Sequence, residues 1–478
     1  MGRTRASARP DLRRSPPALR AAISEKARRP PRRTQESRSK AAREKLLRAT
    51  IELLQERGYS GLTTKEVAAR AGFSNGALMH HFSTKADLVI AAGAHIYERH
   101  IASGRKIADS ALARKDPLDA FISDCVDVYL GDAFDAFELA IDHLGRKMGG
   151  LDVKVTYEDD TQKPDIGKQK SDKLIEADKV NFLTGYIWSN VLLASLKSAI
   201  DAQTFIISAN AGPSQIAGAL CSPWFFSTSW QGDQVPQAIG EYLNQKSVKS
   251  VYLIAPNYAA GKDVIAGLKA QFKGKVLGED YTKWPDQLDF SAELSKARAA
   301  KPDAIFAFYP GAAGVQFLTQ YSQAGLRGQV PLYTSFIVDA ISLPRLKDIA
   351  LGVPGAQHWV VDLPNDANKT FVADFKKKYG REPSFYAAQA YDAAMLIDSA
   401  VKASGGDLTK KDAMRDAMRK ANYASVRGSY KYGNNHFPIQ SFYLQEAVKE
   451  GDGFTLKTVS VALKDHQDRY AANCNMKW

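Results

Sequence analysis

The feature that most constrains this chain is a change of rhythm. From Ala41 to about Phe137 apolar residues recur only at helical spacing. In "AAREKLLRATIELLQERG", Leu46, Leu47, Ala49, Ile51, Leu53 and Leu54 share one broad face ahead of a stop at Gly58. After Gly150, apolar runs of strand length take over. They are Asp152–Glu158, Val180–Gly185, Thr204–Ser208, Ser250–Ala255, Lys275–Tyr281, Ala304–Tyr309, Leu332–Ser335 and His358–Val361. Amphipathic stretches such as Asp165–Ala177, Asn190–Asp201 and Tyr258–Phe272 lie between them. Strand–helix alternation of this kind builds mostly parallel sheets covered by helices. The tail "GSYKYGNNHFPIQSFYLQEAVKEGDGFTLKTVSVAL" reads instead as hairpin strands joined by Gly and Asn turns. An all-α module therefore precedes an α/β module.

Charge separates the two further. The chain carries a formal +13, and within Met1–Lys45 only Asp11, Glu25, Glu36 and Glu44 oppose a crowd of Arg and Lys. Such asymmetry points to a polyanion such as nucleic acid, although residues 1–40, rich in Arg, Pro and Ser, also read as a disordered, solvated tail. No apolar run reaches the roughly 18–20 residues of a membrane span. The start lacks the apolar core of a secretory signal, so the expectation is a cytoplasmic protein. Cys125, Cys221 and Cys474 lie far apart, with no Cys or His at ligand spacing, so no metal site is expected.

"GYSGLTTKEVAARAGFSNGALMHHFSTKADLV" holds a helix–turn–helix. Thr63 and Glu66 form a capping box, Gly72 permits the sharp turn, Ser74 caps a second helix over Asn75–Phe82, and Ser83 caps a third. The second helix suits the major groove of double-stranded DNA, with the first braced on the backbone. Over about residues 41–90 this stretch resembles the DNA-binding region of the tetracycline-repressor (TetR) family. The resemblance places Thr64 and Lys65 against phosphates. It places Asn75, Gly76 and Ala77 at the opening of the recognition helix, and His80 and Lys85 on the flanking phosphates. Met79 and Ala77 stand where members often have Tyr and Thr, which removes hydroxyl donors. His80 and His81 diverge by about 100° on their helix and form no chelate. "LDAFISDCVDVYLGDAF" looks like the beginning of the larger helical domain that pairs two TetR subunits, but its remaining helices never arrive.

From about Phe134 to Trp478 the chain resembles the solute-binding proteins of branched-chain-amino-acid-type ABC transporters. "EDDTQKPDIGKQKSDKLIEADKV" and "FKKKYGREPSFYAAQAYDAAMLI" carry most of the likeness. The resemblance implies a two-lobed, periplasmic-binding-protein-like fold. One lobe spans about 135–235 plus 362–425, the other 236–361 plus the C-terminal strands, and they close on a small ligand at the carboxyl ends of the strands. It assigns Trp188, Ser189, Asn210, Ala211 and Gly212 to the first-lobe wall, and Tyr258, Tyr309 and Phe336 to the second. Phe336 stands where amino-acid-binding members present an acid to the ligand ammonium, so an aromatic or apolar carboxylic acid is expected. Cys221 and Cys474 could pair in an exported relative; in a cytoplasm both should stay reduced. The family's first strand has no counterpart before Asp135, which leaves a gap beside Val153, Val155 and Tyr157.

The G-x-S-x-G, P-loop, G-x-G-x-x-G and H-E-x-x-H motifs are absent, so neither catalytic residues nor a cofactor are expected. Two readings remain. One is a DNA-binding transcriptional regulator with a small-molecule sensing module, acting as a possible homodimer. The other is a transport receptor whose reading frame has been joined to a repressor fragment.

Overall fold

The computed structural model describes residues 42, 43, 45–47, 49, 50, 53, 62–82, 84, 85, 88, 91, 131–451 and 453–477. The basic segment 1–40, the Gly58 and Ser83 caps, Cys125 and the helical stretch 92–130 lie outside them. The chain divides into two compact units, residues 1–113 and 114–478.

In the first unit, helices α1 (Thr64–Ala71) and α2 (Asn75–His81) meet at Gly72. Gly72 has φ +77°, a left-handed conformation that a side chain would resist. Leu46, Leu47 and Leu53 pack with Leu62, Val67, Ala68, Leu78 and Phe82 in one small core, so the apolar face at helical spacing is used as its pattern predicts.

The second unit is two-lobed. Its first sheet has three parallel strands in the order β3 (Phe182–Thr184), β4 (Phe205–Ser208), β5 (Phe225–Ser227). Helices Pro164–Glu176 and Ser189–Asp201 pack beside it. The second sheet has eight strands. Parallel strands β6 (Ser250–Pro256), β7 (Lys275–Thr282), β8 (Ala304–Phe308), β9 (Leu332–Ser335) and β10 (Gly355–Gln357) run in the order β10-β9-β8-β6-β7. On the β10 side the sheet continues antiparallel through β12 (Pro438–Glu450), which also pairs with β11 (Lys431–Tyr432) and β13 (Gly453–His466). The tail thus forms the hairpins its turn residues predict. One apolar cluster runs from Phe205, Ile207 and Phe226 in the first lobe to Val251, Leu253 and Phe306 in the second.

Four expectations need correction. Asp152–Glu158 is no strand: Lys147–Met148 (β1) and Leu151–Asp152 (β2) form a tiny hairpin over Gly149 and Gly150, both at positive φ. Beyond it, residues 153–160 have no regular structure, because among the described residues no strand lies beside them to pair with. β5 was not expected at all. The run at His358–Val361 is displaced: the strand is the small-residue stretch Gly355–Gln357, squeezed between β9 and β12. Finally, Cys221 and Cys474 are not reduced thiols. Their Cα atoms stand 5.7 Å apart, within bridging range, and the sulfurs are bonded, tying the first lobe to the C-terminal segment. Among the described residues no helix is long and apolar enough to cross a membrane.

Candidate functional site

The helix–turn–helix is fixed by its caps. Thr63 Oγ1 accepts from the Glu66 N–H (3.3 Å) and donates to Glu66 Oε2 (2.8 Å), completing the capping box. Ser74 Oγ accepts from the Ala77 N–H at 3.2 Å. With Leu78 buried, α2 turns Asn75, Gly76, Met79 and His80 to solvent, while Ala77 and His81 are half-buried. Lys65 is exposed; Thr64 and Lys85 are half-buried. At Gly76 an added Cβ would meet only Ser74 Oγ, at 4.0 Å. The fold itself therefore does not demand glycine there.

In the second unit the carboxyl ends of both sheets face one another, and ligands in open α/β sheets bind at such ends. On the first lobe, Trp188 and Ser189 follow β3 and open the helix Ser189–Asp201. Asn210, Ala211 and Gly212 follow β4. Asn210 Nδ2 donates to the Ile187 carbonyl (2.8 Å), and its Oδ1 accepts from Gln389 Nε2 (2.8 Å), so this edge is held by two neighbours. Gly212 is required by proximity: a Cβ there would stand 1.9 Å from the Trp230 carbonyl oxygen. On the second lobe, Tyr258 follows β6, Phe308 ends β8, Phe336 follows β9 and His358 follows β10.

Aromatic rings join these two edges. Trp188 meets Trp284 at 5.4 Å, and Trp284 stacks on Tyr258 at 5.1 Å. Trp230 stacks on Phe336 at 4.9 Å and lies 4.9 Å from His358. Phe336 also meets Phe308 and Phe385 at 5.6 Å each. Its φ of +62° is unfavourable for a bulky residue, so packing holds it there at a cost of about 1–3 kcal/mol. Ser214, on the first lobe, donates its N–H (2.8 Å) and hydroxyl (2.7 Å) to Asp263 on the second, and burial raises that carboxyl to about 6. Burial also pushes the Tyr258 phenol up, so it is neutral at ordinary pH.

One predicted residue is not brought to this edge. Tyr309 is buried in the second-lobe core, bonded to Thr282 Oγ1 (2.8 Å) and packed on Phe290 and Phe317. Its neighbour Phe308 faces the cleft because side chains alternate along a strand. Trp230, Trp284, His358 and Phe385 were missed. Trp284 could have been found as the first aromatic ring beyond the strand at Lys275–Tyr281; Trp230 and His358 follow strands that the sequence did not reveal.

Buried polar atoms without a hydrogen-bond partner among the described residues gather at the same edge: Thr334 Oγ1, Ser335 Oγ, Asp339 Oδ2, Gln357 Oε1, Gln389 Oε1 and both ring nitrogens of His358. A small cavity next to two of them, Asp339 and Gln357, is also lined by Trp359, Glu382, Ser384 and Phe385; His358, Trp230 and Phe336 are not part of its lining. Among the described residues no group of three or more His, Cys, Asp or Glu could hold a metal. The arrangement sets an aromatic wall beside buried hydrogen-bonding groups, the Asp339 carboxyl among them.

Known proteins match both units. Residues 129–452 match the family described as "Periplasmic binding protein", and residues 46–92 match "Bacterial regulatory proteins, tetR family". Leu/Ile/Val-binding protein homolog 6 of Brucella melitensis is 28% identical over 322 residues, covering 65% of this chain and 81% of that protein. The HTH-type transcriptional regulator CymR of Pseudomonas putida is 33% identical over 105 residues, 22% of this chain; the match spans about half (52%) of the regulator's length. Among solved structures, an ABC-transporter solute-binding protein of R. palustris in complex with benzoate is similar at TM-score 0.69 and 31% identity, covering 73% of this chain and 96% of that one. Another, from Rhodopseudomonas palustris BisB5 in complex with 3,4-dihydroxybenzoic acid, is similar at TM-score 0.65 and 28% identity, covering 71% and 94%. The chain thus belongs, over residues 129–452, to the periplasmic binding protein family, and its residues 46–92 are similar to the bacterial regulatory proteins of the tetR family.

Proposed function

We propose that this chain is a DNA-binding transcriptional regulator whose two-lobed module senses an aromatic carboxylic acid. The single observation that carries the reading is the cleft wall. Where a ligand ammonium would need an acid, Phe336 stands against Trp230, Phe308 and Phe385. A flat apolar ring is the group such a wall accepts. The ligand carboxylate would sit at the other end, on the Ser189 hydroxyl and the backbone N–H of Gly212. The benzoate and dihydroxybenzoate complexes of the two relatives support the same class.

On the DNA side, Asn75, Gly76 and Ala77 open the recognition helix, with Thr64, Lys65, His80 and Lys85 on phosphates. Gly76 supports this, because the fold leaves its side-chain position open. Two such heads read a palindromic site, so the working form is a homodimer acting in the cytoplasm without catalysis. Lobe closure on ligand changes how the heads bind by favouring one conformation. The test is a DNA-shift titration of the full chain on DNA from around its own gene, with and without benzoate. A shift that responds to benzoate supports the reading; absence of any DNA binding ends it.

The Cys221–Cys474 bond favours a second reading, a transport receptor joined to a repressor fragment, because such bonds persist in oxidising compartments. Ligand binding without any DNA binding would select it.

A further inference from the structure

The inference concerns His358 and rests on the aromatic-acid reading above. His358 follows β10 at the carboxyl edge of the second sheet and is 1% exposed. Its ring lies 4.9 Å from Trp230, the same indole that stacks on Phe336. Both of its ring nitrogens lack a hydrogen-bond partner among the described residues. A buried polar group left unpaired is costly, and here one imidazole carries two. A residue kept only for packing would be served better by Phe, of similar shape and with no polar atom.

The imidazole is neutral. Burial, and then the nearby Arg427 guanidinium, hold it well below the usual histidine range. Neutral imidazole presents one N–H donor and one bare nitrogen acceptor on opposite sides of a flat ring. It therefore cannot supply the positive charge that a carboxylate would seek. A group that can both donate and accept suits either nitrogen, one at a time, by donating to the bare nitrogen or accepting from the N–H. Within aromatic acids that group is a ring hydroxyl, whose acidic O–H is a good donor to a bare imidazole nitrogen.

We propose that His358 reads a ring hydroxyl on the bound aromatic acid, so that the cleft selects hydroxylated over unsubstituted benzoates. The carboxylate end is held at the first-lobe edge, by Ser189 and the Gly212 region. The ring lies among Trp230, Phe336 and Phe385, and the substituent points to His358. His358 is thus a specificity residue: it decides which ring is held and leaves the anchoring of the carboxylate to the other lobe.

The experiment is calorimetric titration of the full chain and of two variants, His358→Phe and His358→Gln, with benzoate, 3-hydroxybenzoate and 4-hydroxybenzoate. For the wild type, one hydroxybenzoate should bind about tenfold or more tightly than benzoate, the effect of one buried hydrogen bond. His358→Phe should lose that preference, so that benzoate and the hydroxybenzoates bind alike, and should melt no lower than the wild type, since it removes two unpaired nitrogens. His358→Gln, which keeps a donor and an acceptor, should retain part of the preference. Equal binding of all three acids by the wild type, or an unchanged preference in His358→Phe, overturns the role of His358 alone. A His358→Phe chain that melts markedly lower assigns the ring to the fold and also overturns it. Failure of every acid to bind overturns the aromatic-acid reading and this inference with it.

Discussion

The two lobes present matching aromatic edges to one another, but the sheets behind those edges differ. In the second sheet β6, β8, β9, β10 and β12 are each paired on both sides. In the first, only β4 is: β5 and β3 are edges, and residues 153–160, which carry a strand-like pattern, pair with no described strand. The chemistry of a cleft and the support of that cleft are therefore separable. Side chains at strand ends make the wall, and the number of ladders behind them sets how firmly it is held. Amide hydrogen exchange reads this directly. Phe182–Thr184 should exchange well ahead of Ala304–Phe308, and equal protection of the two would remove the contrast.

The largest way to break the comparison is to cut what both lobes share. Arg427 is paired with Asp392 at 3.0 Å, both almost fully buried. It also donates to the carbonyls of Thr228 and Ser229 beyond β5 and to Gln440 Oε1 on β12 (2.7 Å). Asp392→Asn leaves that guanidinium buried without its counter-charge. A loss of about 3–5 kcal/mol is expected, with both sheets losing protection together in urea titration. Next, reduction of Cys221–Cys474, or Cys221→Ser, should cost about 2–4 kcal/mol, read as faster exchange confined to the first lobe.

A smaller effect acts on the second lobe alone. Burial raises Asp339 to about 6, against the two N–H bonds it accepts from Ile341 and Ser342. The folded state holds this proton more tightly than the unfolded chain does. The stability it gives is therefore complete below about pH 4 and is lost as pH rises through about 6. Asp339→Asn should flatten that fall, by up to about 3 kcal/mol, in melting curves taken between pH 4 and 7.

Supplying a strand and loop in front of Asp135 should sharpen the comparison from the other side. It should stabilise the first lobe by about 1–2 kcal/mol and tighten ligand binding. If neither changes, the open edge of β3 is not the source of the difference. The smallest change, Thr63→Ala, removes the α1 cap. It should cost about 1 kcal/mol in the first unit and leave exchange in both lobes untouched.

Much of this was legible from residues. The caps at Thr63, Glu66 and Ser74 and the turn at Gly72 are local, so their chemistry shows in a short stretch. Buried strands such as Ala304–Phe308 are apolar runs bounded by turn residues, and they fall where expected. What escaped depends on neighbours. β5 is only Phe225–Ser227 and gains its identity from β4. The "HWVV" run looked more strand-like than "GAQ", yet Trp359 and Val360 go into the core beyond the strand while Gly355–Gln357 fits between β9 and β12. At the site, Trp188, Tyr258 and Phe336 could be placed at strand ends. Their meeting with Trp284, Trp230 and Phe385 could not, because those contacts cross the cleft between distant segments. Tyr309 was misjudged by one step of strand alternation.

The late position of β12 has a consequence in time. It lies against β10 inside the second sheet, and Cys474, near the end of the chain, closes back on Cys221. A ribosome adding about 5–20 residues per second completes the TetR-type segment roughly 20–80 s before those pieces emerge. If the proposed regulator reading holds, each newborn copy passes through an interval in which its DNA-facing segment is finished while the module proposed to govern it cannot yet answer.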